Sequence, residues 1–291
     1  MTRCHPARRS SLVSLQEPVP WNPVRAAREM AAVVVFALLL VLPGPLNATL
    51  DDADLQRTWQ RAFVIVPDES GLIRGWIEDI DSRLERTLSP HPTVIYLHGC
   101  AGLGRISHDA ARLLGEAGYA VIMPDSFARE NKPRSCDAAR HIGGLHRAVL
   151  GWRQAEANLA ISQARRLAWV DPDNIFLWGF SEGGTTTATV TGEPVNARII
   201  EGWTCHAGWN EYRGLDAPST EPVLALLGAG DPWFQSIYLK GDCGAFMKGR
   251  PSSTSIVYRR PDFLATKHHL SWHPDVQHLI LEFLALHHAQ P

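Results

Sequence analysis

Short apolar segments alternate with amphipathic segments along most of the chain. Residues 93–97, 120–123 and 175–178 are continuous apolar runs of strand length, separated by longer segments with helical spacing. Such runs are typical of parallel strands that are buried on both faces. The pattern therefore predicts an α/β fold with a mostly parallel central sheet and helices on both of its faces.

Further strands are predicted on either side of these three runs. Residues 63–66 and 72–77 predict two strands joined by a turn at 68–71, so that a β-hairpin opens the domain. Three later segments predict the remaining strands, at 197–203, 223–227 and 256–259.

Helical spacing of apolar residues marks three regions between and after the strands. A helix with its apolar face between residues 110 and 117 is predicted to begin at Ser107, a good N-terminal capping residue. Residues 137–169 predict a long helical segment interrupted by a pair of glycines and followed by a turn at 171–173. A last helix is predicted to begin at Pro274.

The N-terminal segment has a different composition. Residues 30–42 are 13 consecutive apolar residues that follow Arg25 and Arg28. The core of a signal peptide is about 7 to 15 residues long, whereas a membrane-spanning helix needs about 20. We therefore expect residues 1–48 to be a signal peptide cleaved after Ala48, which predicts export to the periplasm or the medium.

Two features leave a second interpretation of the leader open. The segment before Arg25 is long for a signal peptide, and Leu46 is larger than the residue preferred near a cleavage site. Residues 30–46 would then be an uncleaved membrane anchor. In either case we expect residues 49–291 to form a single domain.

The charge of the chain argues against one class of partner. Removal of residues 1–48 takes away five arginines and two glutamates, which changes the formal charge from −2 to −5. No run of basic residues occurs in the remainder. Because phosphate backbones are repelled by such a surface, we do not expect nucleic acid as a partner.

Four cysteines follow the leader, an even number in a chain that we expect to be exported. They are Cys100, Cys136, Cys205 and Cys243. We favour the pairs Cys100 with Cys136 and Cys205 with Cys243, because each pair would follow neighbouring strands at one edge of the sheet. Free buried thiols remain the alternative.

Residues 179–184 have the sequence G-F-S-E-G-G between a predicted strand and a predicted helix. A sharp strand-to-helix turn forces Ser181 into a strained backbone conformation, and a side chain at either flanking glycine would collide with neighbouring elements. The turn exposes the hydroxyl at the N-terminus of a helix. We therefore predict that Ser181 is a nucleophile.

A second loop, which begins with His98 and Gly99, leaves the preceding sheet strand. Its position suits a loop that donates backbone N–H groups to an oxyanion. We predict the backbone N–H groups of Cys100 and Glu182 as the two donors, each worth about 3 kcal/mol. For His98 we expect a role in holding the loop.

A carboxylate and a histidine complete the candidate site. Asp231 follows a buried strand and is predicted to orient the base. His268 is our candidate for the general base, with His269 as the alternative, and we expect His273 to lie on the surface. Since there is no H-E-x-x-H motif and no carboxylate at ligand spacing, we expect neither a metal nor a cofactor.

The order of these motifs resembles the α/β-hydrolase superfamily, and most closely its dienelactone hydrolase-like branch, over roughly residues 63–288. Residues 125–127 after the fourth predicted strand also resemble that branch and imply a domain without a large lid. Dienelactone hydrolases proper carry cysteine at the elbow, whereas this chain has Ser181. The resemblance implies a carboxylic-ester hydrolase that acts on a small acyl substrate through an acyl-enzyme intermediate.

Two other functions share parts of this pattern. A serine peptidase of the prolyl oligopeptidase type has the same elbow but normally adds a propeller domain, and a binding protein could keep the fold without catalysis. Four tryptophans follow predicted strand ends near the site, where ordinary packing is the interpretation that we favour over an aromatic pocket. They are Trp203, Trp209, Trp233 and Trp272.

Overall fold

An eight-stranded sheet forms the centre of the computed structural model, which describes residues 46–84 and 89–289. The strands are β1 (Phe63–Asp68), β2 (Gly71–Trp76), β3 (His91–Leu97), β4 (Ala120–Met123), β5 (Val170–Phe180), β6 (Arg198–Glu201), β7 (Val223–Gly228) and β8 (Thr254–Tyr258). Their order is β2-β1-β4-β3-β5-β6-β7-β8. β1 is antiparallel to both of its neighbours, and the other pairs are parallel. The opening hairpin and the mostly parallel sheet are thus confirmed.

Helices cover both faces of the sheet. They are α1 (Leu46–Gln60), α2 (Ile77–Leu84), α3 (Arg105–Glu116), α4 (Ala148–Ala164), α5 (Glu182–Thr189) and α6 (Pro274–Leu286). Side chains alternate along a strand, so Val94 and Tyr96 of β3 share a core with α3 and α6, whereas Ile95 and Leu97 share one with α2 and α4. The predicted layered α/β architecture is therefore confirmed.

Two local predictions were wrong, and a third was confirmed within a strand. Helix α3 begins at Arg105 after Gly104, and Ser107 is buried within it instead of capping it. Only Ala148–Ala164 of the predicted long helical segment is helical, because the residues before it form a loop with an antiparallel bridge between Asp137 and Ile142. The predicted interruption at the glycine pair is present, and Gly144 has a positive φ of 71°. The predicted turn at 171–173 is present as an interruption within β5: the pairing with β3 passes from His91 with Val170 to Thr93 with Ile175, and the Asp173 N–H donates to Asp171 Oδ1 at 3.0 Å.

The loops at the carboxyl edge of the sheet are joined by two disulfides. Cys100, after β3, is bonded to Cys136, which lies beyond β4. Cys205, after β6, is bonded to Cys243, which lies beyond β7. The favoured pairing is confirmed, and it ties together loops that follow neighbouring strands.

The leader is the part of the sequence prediction that the structure barely reaches. Nearly all of residues 1–48, including the apolar run, lies outside the described residues. In the part of the chain that is described, no helix combines the length and the apolar character needed to cross a membrane.

Candidate active site

Ser181 occupies the sharp junction between β5 and α5. Its backbone has φ 57° and ψ −116°, a conformation that residues other than glycine seldom adopt. A Cβ added to Gly179 would lie 2.0 Å from the carbonyl oxygen of Gly183, and one added to Gly183 would lie 2.0 Å from that of Leu97. Both glycines are therefore required for the close approach of α5 to β5 and β3.

A continuous hydrogen-bond path links three of the predicted site residues. The Ser181 Oγ atom lies 2.8 Å from His268 Nε2, and His268 Nδ1 lies 2.6 Å from Asp231 Oδ2. Asp231 is buried, while His268 keeps part of its ring exposed. Because the buried carboxylate accepts from Nδ1–H, Nε2 is left free to accept the hydroxyl proton of Ser181.

Close packing at the end of β7 brings Asp231 to the histidine loop. A Cβ on Gly228 would lie 2.6 Å from the carbonyl oxygen of Lys267, and the Gly230 N–H donates to the carbonyl of Ala265 at 2.6 Å. Asp231 also accepts from the backbone N–H of Trp233. These contacts orient the carboxylate toward His268.

Glu201, the last residue of β6, anchors the other side of the histidine loop. Its Oε1 accepts from the backbone N–H groups of Leu270 and Ser271 at 2.7 and 2.8 Å, and its Oε2 accepts from Ser271 Oγ at 3.0 Å. The side chain is fully buried. Sequence reasoning missed this residue, although an acidic residue at the end of a buried strand is the signal that would have found it.

The two other histidines of the loop have different partners. His269 Nε2 lies 3.1 Å from Ser271 Oγ, and its ring packs against Phe180. His273, expected at the surface, is only partly exposed and caps α6, where its Nδ1 accepts from the Asp275 N–H at 3.3 Å.

The predicted oxyanion donors lie beside Ser181. Cys100 and Glu182 both line the cavity that contains the serine. Within the described residues, neither backbone N–H donates a hydrogen bond to another protein group. The Cys100–Cys136 disulfide fixes the first loop, and the N-terminus of α5 fixes the second.

His98 is fully buried behind this loop. Its Nε2 accepts from the Ser126 N–H at 3.2 Å, its Nδ1 lies 2.7 Å from the carbonyl oxygen of Gly99, and its own carbonyl accepts from Arg153 Nη2 at 2.7 Å. Burial is the main reason why the pKa of His98 lies well below its usual value, and the positive charge of the nearby Arg153 is the second. These contacts match the loop-holding role that we expected.

A buried charge cluster supports the elbow from behind, and sequence reasoning did not anticipate it. Arg153 of α4 lies 3.7 Å from both Glu156 and Glu182, and Arg129 pairs with Glu156 at 2.7 Å. Ser135, next to Cys136, donates to Glu182. Burial raises the pKa of Glu182, although Arg153 and Ser135 partly oppose this effect.

A cavity of about 550 Å³ opens above Ser181 and His268. Trp203, Trp209 and Trp233 line it, so our preference for ordinary packing was wrong for Trp209 and Trp233. Trp203 is also buried in a hydrophobic core, which matches that preference. The loops after β6 and β7 fold over the carboxyl edge and turn the rings toward the serine. Trp272 does not line the cavity and is 47% exposed.

Among the described residues, no group of three or more histidine, cysteine, aspartate or glutamate side chains is arranged to hold a metal ion. The histidines of the late loop instead contact Ser181, Ser271 and Asp275.

The sheet order and the serine junction after β5 define the α/β-hydrolase class. The model of the dienelactone hydrolase family matches residues 80–239, more than half of the chain, and the chain belongs to this family. The protein is accordingly a hydrolase of carboxylic esters. Ser181 and Asp231 lie inside the matched segment, and His268 follows it.

The chain is similar to solved structures. A dienelactone hydrolase-like promiscuous phosphotriesterase from metagenomic libraries is 20% identical, with a TM-score of 0.50 over 78% of this chain and 98% of that chain. The thermostable carboxylesterase EstE1 from a metagenomic library is 16% identical, with a TM-score of 0.49 over 87% of this chain and 99% of that chain. None of the curated proteins compared with the chain matches it.

Proposed function

We propose that the protein hydrolyses carboxylic esters through an acyl-enzyme formed on Ser181, with His268 as general base and Asp231 as the residue that orients it. The observation that carries this proposal is the hydrogen-bond path of 2.8 Å from Ser181 Oγ to His268 Nε2 and 2.6 Å from His268 Nδ1 to Asp231 Oδ2. Nucleophile, base and orienting acid in hydrogen-bond contact are what acyl transfer requires.

In the first half of the reaction, His268 Nε2 takes the proton of Ser181 as Oγ attacks the ester carbonyl carbon. The tetrahedral intermediate collapses, the bond to the alcohol oxygen breaks, and the alcohol leaves with the proton from Nε2. In the second half, Nε2 takes a proton from water, the hydroxide attacks the acyl-serine, and the carboxylic acid departs as Ser181 regains its proton.

The negative charge of both tetrahedral intermediates falls on the former carbonyl oxygen. The free N–H groups of Cys100 and Glu182 support a role as its donors, since they lie beside Ser181 and have no partner in the described part of the chain. Fixed donors of this kind stabilise the transition state by about 3 kcal/mol each.

We also propose that residues 1–48 direct export and that residues 49–291 are the catalytic domain. The apolar run at 30–42 and its basic flank support a signal peptide. The two disulfides are consistent with export, because such bonds persist in oxidising compartments. Sequencing the N-terminus of the exported protein tests cleavage after Ala48 against retention of residues 30–46 as an anchor.

Substitution of the serine tests the mechanism. Ser181→Ala removes only the nucleophile, so turnover of 4-nitrophenyl acetate should fall at least about 10³-fold while the unfolding transition stays intact. Ser219→Ala, at an exposed serine outside the cavity, is the matched control and should keep wild-type activity. A fluorophosphonate probe should label Ser181 in the control. Near-wild-type activity of Ser181→Ala would refute the proposed function.

A further inference from the structure

The cavity walls are mainly aromatic. Six aromatic residues from the loops after β6 and β7 line the space above the serine: Trp203, Trp209, Tyr212, Trp233, Phe234 and Tyr238. Trp209 and Tyr238 are 40% and 66% exposed, so part of each ring remains free to contact a ligand. Flat aromatic walls favour a planar aromatic group, which gains offset stacking or edge contacts beyond simple burial.

Two of the tryptophans are held in place by their neighbours. The Trp233 ring is stacked on the His268 imidazole at 5.2 Å with an angle of 25°, which puts it beside the reacting atoms. A Cβ on Gly144 would lie 2.7 Å from the Trp209 ring, and the Arg147 guanidinium lies 5.2 Å from its centroid. The surfaces that a ring would contact are thus preset.

Large apolar side chains are also exposed around the cavity. Ile142 and Leu145 flank the lining glycines Gly143 and Gly144, and Ile237 lies between two lining residues of another loop. Their exposed fractions are 45%, 52% and 78%. An apolar rim of this kind favours an apolar ligand.

The charge of the cavity points in the same direction. Among the described residues that line it, none is a lysine or an arginine, and besides two tyrosines the ionisable side chains are Glu182 and His268. Arg147 and Arg153 lie close to the lining but are engaged elsewhere: Arg147 is paired with Glu211, and Arg153 is buried behind Glu182. A carboxylate on the substrate would therefore enter without a counter-ion, and burial of an unpaired charge is costly.

From the aromatic walls and the missing cation, we infer that the site takes uncharged esters with a planar aromatic group and discriminates against the same ester bearing a carboxylate. This inference rests on the proposed function and names the substrate class of that same site.

Three methyl esters of similar size test both the preference for a planar aromatic ring and the discrimination against a carboxylate. Dimethyl terephthalate is neutral and planar, monomethyl terephthalate adds one carboxylate to the same ring, and dimethyl cyclohexane-1,4-dicarboxylate replaces the ring by a puckered one. For each, kcat/KM is divided by the rate constant of alkaline hydrolysis, which removes differences in intrinsic reactivity. We expect the normalised value for dimethyl terephthalate to exceed each of the others at least about tenfold. A ratio near one for either comparison would overturn the inference.

A positive charge introduced into the cavity lining gives a second test. It compares two substrates within one variant, so it remains valid if that variant has lost part of its activity. Ser236 lines the cavity and is exposed, so Ser236→Lys adds a counter-ion and Ser236→Gln is its uncharged control. We expect Ser236→Lys to raise the ratio of monoester to diester turnover about tenfold relative to Ser236→Gln. Equal ratios in the two variants would contradict the inference, and because each ratio is taken within one variant, partial misfolding cancels.

Vinyl acetate separates failure of this inference from failure of the proposed function. It is a small ester without a ring or a charge, so its hydrolysis depends on the Ser181 mechanism alone. If vinyl acetate is hydrolysed and Ser181→Ala abolishes that activity while the terephthalate ratios are near one, only the substrate class is wrong. If no ester is hydrolysed, the proposed function fails as well.

Discussion

Ser181 has a positive φ of 57° that the surrounding structure must maintain. Such a conformation costs about 1 to 3 kcal/mol, and it persists only where the surrounding packing offsets that cost. Here the Ser181 N–H donates to the carbonyl of Glu201, and the Ser181 carbonyl accepts from the Thr185 N–H. The side chain is thereby directed toward His268 instead of into the sheet.

Adjacent histidines allow the assignment of the base to be tested at single-residue level. His268→Ala should lower kcat/KM for 4-nitrophenyl acetate at least about 10⁴-fold, because no other group would accept the Ser181 proton. His269→Ala is the matched control and should retain activity within about tenfold, since its ring contacts Ser271 and Phe180. Steady-state kinetics of both variants provide the measurement, and the reverse order would assign the base to His269.

At the scale of elements, the junction depends on how closely α5 approaches β3 and β5. Glycines at 179 and 183 allow contacts between backbone atoms that any side chain would prevent. Glu201 of β6 and the Gly228–Asp231 segment after β7 then position the loop that carries His268. The three site residues therefore follow β5, β7 and β8, whose carboxyl ends lie at the same edge of the sheet.

Alanine substitution of two helical glycines measures this constraint. Gly183→Ala places a Cβ 2.0 Å from the Leu97 carbonyl oxygen, so the free energy of unfolding should fall by at least about 3 kcal/mol. Gly151, in the exposed part of α4, has no atom within 4 Å of its added Cβ, so Gly151→Ala should stabilise the protein by about 1 kcal/mol. Urea unfolding curves compare them, and a Gly183→Ala variant as stable as wild type would contradict the predicted clash.

At the scale of the whole molecule, buried ionisable groups connect elements on both sides of the elbow. His98 follows β3, Arg153 and Glu156 belong to α4, and Glu182 begins α5. The cluster therefore holds together the loop with the proposed oxyanion donor and the helix that follows the nucleophile. Its protonation states affect the stability of the fold as a whole.

The depressed pKa of His98 predicts acid sensitivity. Below its ordinary pKa of about 6.5, the unfolded chain binds a proton at this residue that the folded protein does not, so this contribution to stability is present above that pH and is lost as the pH falls. The slope is at most about 1.4 kcal/mol per pH unit. His91 acts in the same direction, whereas the raised pKa values of Glu182 and Asp125 act in the opposite one.

The contributions of these four groups partly cancel in the free energy of unfolding. The protonation state of His98 is therefore measured directly, from NMR spectra of its imidazole nitrogens. We expect its ring to stay neutral at about pH 5.5, with Nδ1 protonated and Nε2 accepting from Ser126. A positively charged His98 in the folded protein at that pH would refute this prediction.

Much of the architecture follows from local sequence. Apolar runs of strand length, glycines around Ser181 and the position of Asp231 after a strand are signals contained within about ten residues, since backbone preference and burial act locally. Parallel strands place their carboxyl ends at a common edge, which is why the disulfide pairs and the neighbourhood of Ser181 and Asp231 were predictable. The sequence did not predict that residues 137–147 form a loop instead of part of a helix.

Only the tertiary structure decided which histidine meets the serine and which tryptophans line the cavity. His268 and His269 are neighbours with the same local preferences, and their directions depend on Glu201, which lies far from them in the chain but adjacent in space. Trp203, Trp209 and Trp233 became cavity walls through the folding of separate loops over the sheet edge. The direction of a side chain in a loop is set by contacts with residues distant in sequence, and a local pattern carries no record of them.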